Sequence, residues 1–349
     1  MPLSAATSYP LWLNALLFLA AAAVVWGAGT RLTRSLDAIA ARTGMSRAFA
    51  GMLFLGSVTS LPEIANVVTA AAFDHPKLAI NNLLGASALV LVQLAVADAL
   101  TGRDAVTSVI AKPSTLMMAA LAMLMLVVVA MAITAGDVLL FGAVGAWAIA
   151  ICALAVAGFW LAAGYDRRAP WLARDHGAAG TAAEEAEDAG PQAPLAALLA
   201  RAAAAAALLV AAGYTLSQTG DALAAQTGLG SSMTGFALIS AATSQPEFST
   251  VVAALRIRRY EMAFGDVLGS IFVNLSMILL ADAIYAGGPV LDQLGAFETL
   301  SALLGAALSG VYLIGLLERR NPTVLRMGYD SLAVLLIFAA GLALLYARR

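Results

Sequence analysis

The sequence predicts an all-α membrane protein of ten transmembrane helices, built as two five-helix repeats of inverted topology with both termini outside. Three observations lead there. The composition is too apolar for water, ten apolar runs have bilayer-spanning length, and the chain matches itself at an offset of 184 residues. Of the 349 residues, 62% are hydrophobic and 11% charged. Soluble domains average about 45–50% apolar and about 25% charged. Together with a mean hydropathy of +0.89, this excludes a water-soluble domain, a disordered chain, a disulfide scaffold and a nucleic-acid binder with a basic face. The single cysteine, Cys152, lies in an apolar run and has no internal partner for a disulfide.

A spanning helix needs about 20 apolar residues. Such runs lie at 11–29, 46–72, 78–99, 114–134, 137–163, 195–216, 231–255, 261–284, 296–317 and 329–347. The first is not a cleaved signal peptide, because Met1 to Pro10 carries no basic residue. The one sizeable gap, 164–194, holds Asp166, Arg167, Arg168, Arg174 and Asp175, then Glu184, Glu185, Glu187 and Asp188, with glycine and proline between them. It reads as a solvated linker joining a first half, 1–163, to a second, 195–349, and is too short for an inserted regulatory domain. Sorting the connections by side puts 16 of the 19 Lys and Arg residues together. The positive-inside rule makes that side cytoplasmic. The linker is then cytoplasmic, both termini face outward, and the chain belongs in an inner or plasma membrane.

The repeat centres on TSLPEIANVV from Thr59, which meets TSQPEFSTVV from Thr243. From 37 to 98 there are about 20 identities in 62 ungapped positions, and the paired segments 56–98 and 240–282 form its core. The offset covers five helices, an odd number, so the second copy crosses in the opposite direction. Inverted repeats of this kind are a transporter architecture with a binding site near the midplane.

Glu63 falls near the middle of the second run and Glu247 near the middle of the seventh. A carboxylate at that depth costs several kcal/mol unless paired, hydrated or protonated. Each follows a proline, and Pro62 and Pro246 release the carbonyls of Val58 and Ala242 from helical hydrogen bonding. Thr59 and Ser60 stand one turn before Glu63, as Thr243 and Ser244 stand before Glu247. The result is a set of hard oxygen ligands, with no membrane-embedded His or Cys cluster. It suits Ca²⁺, Mg²⁺ or Na⁺ rather than zinc or copper, and two carboxylates neutralise one divalent ion. One TxxxE alone reads equally well as a kink or a helix–helix hydrogen bond. Its repetition in register with a Pro-Glu pair favours an ion site.

Further along, NNLLGASALV from Asn81 pairs with GDVLGSIFVN from Gly265. Gly85 and Gly269 permit close helix approach. Ser270 and Asn274, one turn apart, complete the oxygen set, whereas their counterparts Ala86 and Val90 cannot coordinate anything, which makes the site chemically lopsided. Asp266, nearer the cytoplasmic end, fits a ligand, a gating residue or a solvated helix-start acid. Asp98 and Asp282, near helix exits, read first as interfacial residues and second as gates. Gln93 reads as an interhelical hydrogen bonder, and His75 and His176 as solvated loop residues. The run of Met117, Met118, Met123 and Met125 reads as lipid-facing or packing surface.

At these residues the sequence resembles the calcium/cation antiporter superfamily, best known for sodium/calcium exchangers. That family carries a G-[ST]-[SA]-x-P-E-like element followed by a G-N-x-x-G-S-N-like element in each of two inverted repeats. The first element stands here as TSLPE at 59–63 and TSQPE at 243–247, the second as NNLLGAS at 81–87 and GDVLGSI at 265–271. The resemblance implies that Glu63 and Glu247 are the central Ca²⁺-binding carboxylates and that Thr59, Ser60, Thr243 and Ser244 supply hydroxyl and carbonyl ligands of flanking sites. It also implies that Ser270 and Asn274 take the polar positions of the second element. The departures are Ala86 and Val90 at usually polar positions, Asn274 where many members have an aspartate, and Asp266 in place of the usual asparagine.

The implied activity is secondary antiport. Ca²⁺ or a related cation moves against Na⁺ or H⁺ by alternating access, with helices one and six sliding across the rest. A divergent cation/proton antiporter with altered selectivity is the nearest alternative. No cofactor, catalytic residue, nucleic acid or obligate protein partner is expected; the partners are the lipid bilayer and the transported cations. An intramembrane aspartyl protease would use Tyr165-Asp166 and Gly265-Asp266, but Ala263 stands where its first glycine is required. A passive cation channel is a third class, disfavoured by the paired proline breaks.

Overall fold

A computed structural model describes residues 3–43, 60–101, 105–109, 112–141, 144–168, 194–256, 258, 260–319, 322–324 and 326–348. Ten helices organise it: α1 Leu11–Thr43, α2 Leu61–Ala72, α3 Pro76–Thr101, α4 Pro113–Ala135, α5 Ala146–Arg168, α6 Leu195–Thr227, α7 Gln245–Arg256, α8 Tyr260–Ile284, α9 Ala296–Glu318 and α10 Tyr329–Ala347. Among the described residues, seven helices (α1, α3, α4, α6, α8, α9 and α10) are long and apolar enough to cross a membrane, and α2 and most of α5 form shorter apolar helices. Thr59 and the first part of the run 46–72 lie outside the described residues.

The repeat is written into the element boundaries. Adding 184 to the ends of α1 and α2 reproduces those of α6 and α7, and α3 and α4 meet α8 and α9 to within one residue. The helical turn Val106–Val109 maps onto the 3₁₀ turn Val290–Gln293.

Two antiparallel hairpins, β1 Leu139–Phe141 with β2 Val144–Gly145 and β3 Thr323–Val324 with β4 Met327–Gly328, are related by the same offset. The apolar runs do not reveal these hairpins, and they correct the run 137–163: α5 begins at Ala146. The cause is local. Gly136, at φ 78°, ends α4 in a conformation that disfavours other residues. Asp137 Oδ1 then accepts the backbone N–H groups of Val138 at 2.8 Å and Trp147 at 3.0 Å, which folds the chain back before the next helix starts. In the other direction, α1 and α6 run well past the apolar limits of 29 and 216.

The run 231–255 is not one helix. It forms helical turns over Gly230–Met233, a π-helical segment over Thr234–Ile239, a further turn over Ser240–Thr243, and then α7. Pro246 causes the break, because its ring clashes with the carbonyl four residues earlier and its nitrogen has no hydrogen to donate. Pro62 holds the equivalent place in the first turn of α2. Ser60 and Ser244, just before the two helices, adopt nearly the same backbone conformation, φ −82°, ψ 8° and φ −82°, ψ 16°.

The buried apolar residues fall into two groups. One fills the space among α2, α3, α4, α5, α7, α8, α9 and α10. The other joins α1 to α6 through small side chains such as Ala21, Ala28, Ala202, Ala205 and Ala212, and touches the first group's helices at Ala70, Leu78, Ala79, Ile239 and Ala242. Without a hydrophobic driving force in lipid, small residues hold such helices by close backbone approach.

The closest approach links α3 to the segment before α7. A Cβ added at Gly85 would collide with the Phe236 carbonyl oxygen and come within 2.6 Å of Ser240 Oγ, and one at Gly235 would lie 2.7 Å from the Leu78 carbonyl oxygen. Gly85→Ala is therefore expected to push these helices apart and lower the thermal unfolding midpoint of the purified protein, since overpacking costs about 1–3 kcal/mol. An unchanged midpoint would show that the contact yields freely.

Candidate cation-binding site

The local sequence places both glutamates at helix starts. In α2 the order Leu61-Pro62-Glu63 puts proline and glutamate in the first turn, and Gln245-Pro246-Glu247 does the same in α7. Proline is tolerated there because the first-turn N–H groups have no helical partner. A carboxylate in that turn faces the positive end of the helix dipole, worth about 0.3–1 kcal/mol and up to about 2 kcal/mol when partly buried. The glutamates thus stand at the mouths of two short helices rather than in the middle of long ones. Both are buried, 1% and 2% exposed.

The two helix starts interlock. Ser244, from the second repeat, donates its hydroxyl to Glu63 Oε1 of the first at 3.2 Å. Thr243 Oγ1 lies 3.2 Å from Asn82 Oδ1 on α3 and 3.3 Å from the Ser240 carbonyl. Gln93, also on α3, donates from Nε2 to the Ser244 carbonyl at 2.9 Å, as an interhelical hydrogen bonder should. On the same segments and on α8, several buried polar atoms have no hydrogen-bond partner: Ser60 Oγ, Glu63 Oε2, both amide atoms of Asn66, Asn82 Nδ2, Asp266 Oδ1, Ser270 Oγ and Asn274 Oδ1. Buried polar groups are ordinarily paired, so a cluster rich in oxygens lacking protein donors is the chemistry that suits a cation. Among the described residues no group of three or more His, Cys, Asp or Glu side chains comes together. The donor set is carboxylate, hydroxyl and amide oxygen, which fits hard cations.

The structure brings Glu63, Ser244, Thr243 and Asn82 into direct contact and leaves Ser60, Ser270 and Asn274 fully buried. Thr59 lies outside the described residues. Asp266 is bonded by the Thr250 hydroxyl, which also sits 2.8 Å from the Glu247 carbonyl.

Asp98 and Asp282 are elsewhere, at the hairpins. Asp98 accepts from Val106 N at 3.3 Å, Gly328 N at 2.9 Å and Ser331 Oγ at 2.7 Å. Asp282 accepts from Val290 N at 2.6 Å and Gly145 N at 2.7 Å. His75 is not merely solvated, because its Nδ1 lies 3.4 Å from Asp221 on α6.

The motifs do not single out Asn82, which meets Thr243, Thr250, which meets Asp266, or the buried Asn66. The signal was present: at the 184 offset Asn82 meets Asp266 and Asn66 meets Thr250, polar on polar in apolar surroundings. Sequence reasoning also missed Glu298, which is buried on α9, accepts Asn81 Nδ2 at 2.7 Å and Ser232 Oγ at 2.5 Å, and caps its own helix through Gly295 N at 2.8 Å. No carboxylate stands at the repeat-related position, Ser114, to flag it.

The sequence profile of the family described as sodium/calcium exchanger protein matches residues 13–164 and again 197–347. A comparison with curated proteins gives no match. Among solved structures, the chain is similar to the H+/Ca2+ exchanger CAX, with a TM-score of 0.66 at 13% identity over 97% of this chain and 85% of that one. It is similar to native YfkE, with a TM-score of 0.62 at 12% identity over 99% and 97% of the two chains. It is also similar to the sodium-calcium exchanger NCX_Mj soaked with 100 mM Na+ and 10 mM Sr2+, with a TM-score of 0.61 at 15% identity over 96% and 99%. At such identities the likeness speaks to the fold.

Proposed function

The chain belongs to the sodium/calcium exchanger protein family, and on that premise we propose that it is a secondary antiporter moving Ca²⁺, or a related cation, against a monovalent coupling ion by alternating access. The observation that carries this reading is the interlock of the two repeats, in which Ser244 of one bonds Glu63 of the other at 3.2 Å. A site assembled from both copies at the mouths of two broken helices belongs to neither half alone. It can therefore be exposed to either side as α1 and α6 slide across the remaining helices.

Glu63 and Glu247 neutralise the divalent ion. Thr59, Ser60, Thr243 and Ser244 supply hydroxyl and carbonyl oxygens, and Ser270 and Asn274 add ligands from α8. Coupling ions compete for these oxygens, so one class loads only as the other leaves. The separate packing of α1 with α6 supports their sliding as a pair across the remaining helices.

In this reading the chain crosses an inner or plasma membrane ten times, with both termini outside. The sequence-based halves 1–163 and 195–349 are joined by a cytoplasmic linker that starts later than the expected 164, because α5 continues to Arg168. Family membership leaves the protease reading without a basis. Channel behaviour is disfavoured because an open pore gives no use to two repeat-related breaks.

The apolar positions Ala86 and Val90, 0% and 1% exposed on α3 where α8 carries Ser270 and Asn274, favour a second reading in which the coupling ion is H⁺. Fewer oxygens are left to strip Na⁺ of its water. Uptake of radiolabelled calcium into inside-out vesicles under a Na⁺ gradient or a pH gradient decides between them. One of the two gradients is expected to drive uptake, and the antiporter reading fails if neither moves any divalent cation.

A further inference from the structure

The two repeats are equivalent in backbone but not in charge. Asp266 on α8 occupies the position that Asn82 holds on α3, and Thr250 on α7 the position that Asn66 holds on α2. Asn82 and Asn66 are neutral. Asp266 is a carboxylate, 6% exposed, with one oxygen bonded by Thr250 and the other, Oδ1, buried and unpartnered.

Asp266 does not stand alone on its helix. Ser270 and Asn274 follow at intervals of four residues, so the three side chains form one stripe along about 12 Å of helix. Each presents a buried oxygen without a partner. The equivalent stripe on α3 runs Asn82, Ala86, Val90 and turns apolar after its first residue. The lane therefore exists in one repeat only. Asp266 is at its end nearest Arg256, the last residue of α7, and Arg258, the side assigned to the cytoplasm.

We propose that Asp266 is a coupling-ion carboxylate. With Thr250 orienting it and Ser270 and Asn274 continuing the lane, it binds one monovalent cation apart from the Glu63–Glu247 pair that holds the divalent ion. This rests on the antiporter reading and deepens it. An isolated carboxylate in an apolar interior is costly unless it is paired, and among the described residues no positive charge is paired with Asp266. Two carboxylates suffice for a divalent ion. A third, placed on the cytoplasmic flank of the site in one repeat only, gives the monovalent ion a charge of its own, while its competition with the divalent ion runs through the shared oxygens of Ser270 and Asn274.

Two fluxes separate the roles in proteoliposomes holding the full chain. Calcium–calcium self-exchange requires the divalent site, whereas uptake driven by a monovalent gradient, Na⁺ or H⁺ according to which drives the parent, also requires the coupling ion. Asp266→Asn installs the amide that the other repeat already carries. The ratio of gradient-driven uptake to self-exchange is expected to fall about tenfold or more, as loss of a cation ligand or its outer-shell partner implies. Asp266→Glu, which keeps the charge, should restore much of the ratio. Thr250→Val, which removes only the orienting hydroxyl, should lower it in a protein whose carboxylate is intact, so the test survives a folding defect in Asp266→Asn. An unchanged ratio in both Asp266→Asn and Thr250→Val, whether the two fluxes persist or decline together, overturns the proposal. If no gradient drives uptake in the parent while self-exchange proceeds, the antiporter reading falls, and the proposal with it.

Discussion

Glu63→Gln and Glu247→Gln are each expected to reduce calcium uptake and apparent calcium affinity by more than the roughly 10–100-fold that losing an outer-shell partner costs a metal site. Glutamine has nearly the same shape, and its amide oxygen can still accept the Ser244 hydroxyl that now reaches Glu63 Oε1 at 3.2 Å. The interlock between the repeats should therefore persist, and the thermal unfolding midpoint should change little. What is lost is charge: one carboxylate cannot neutralise a divalent ion in a site from which water is largely excluded. Both glutamates sit in equivalent first turns, so the two variants should fail alike. Transport at the parental rate in both would remove these residues from the site.

Asp98→Ala and Asp282→Ala should produce the opposite pattern, a large loss of stability without a selective loss of coupling. Each aspartate, 1% and 0% exposed, holds two backbone N–H groups of connecting segments, and Asp98 also holds the Ser331 hydroxyl. Leaving a buried donor unsatisfied costs about 1–3 kcal/mol, so two donors imply roughly 2–6 kcal/mol per variant. Detergent-solubilised protein should show a clear drop in unfolding midpoint, while the protein that remains folded keeps the parental ratio of gradient-driven uptake to self-exchange. A normal midpoint with altered coupling would return these aspartates to a gating role.

The contrast between these pairs shows what was legible in the sequence. The Pro-Glu pairs were visible because two identical dipeptides in matched apolar runs are not a product of alanine-rich composition. Their placement inside a helix was misjudged. Hydropathy sums over 46–72 and 231–255 without registering that Pro62 and Pro246 each stand in the first turn of a new short helix, and so puts the glutamates in mid-span instead of at a helix mouth.

The hairpins were hidden for a related reason. Leu139, Leu140 and Phe141 are as apolar as a helix interior, and only Gly136 and Asp137 mark the turn. Asp98 and Asp282 were found as a pair, yet their partners are backbone N–H groups, which carry no sequence signature. Asn82 was seen as part of a glycine element. Its role beside Thr243 follows from the position of a separate helix start, and that is a tertiary fact.

Those hairpin aspartates also bear on what each half of the chain can do alone. Asp98, in the first half, holds Val106 of its own half but Gly328 and Ser331 of the second. Asp282, in the second half, holds Val290 of its own but Gly145 of the first. The halves are reciprocally stitched, each completing the last hairpin of the other. Either one synthesised by itself would leave buried acceptors and donors facing lipid, whereas both supplied as separate polypeptides retain every stitch. Assembly is therefore expected to depend on both halves being present together more than on the chain that joins them. A gene split between Arg168 and Pro194 is expected to yield two fragments that restore transport only when expressed together.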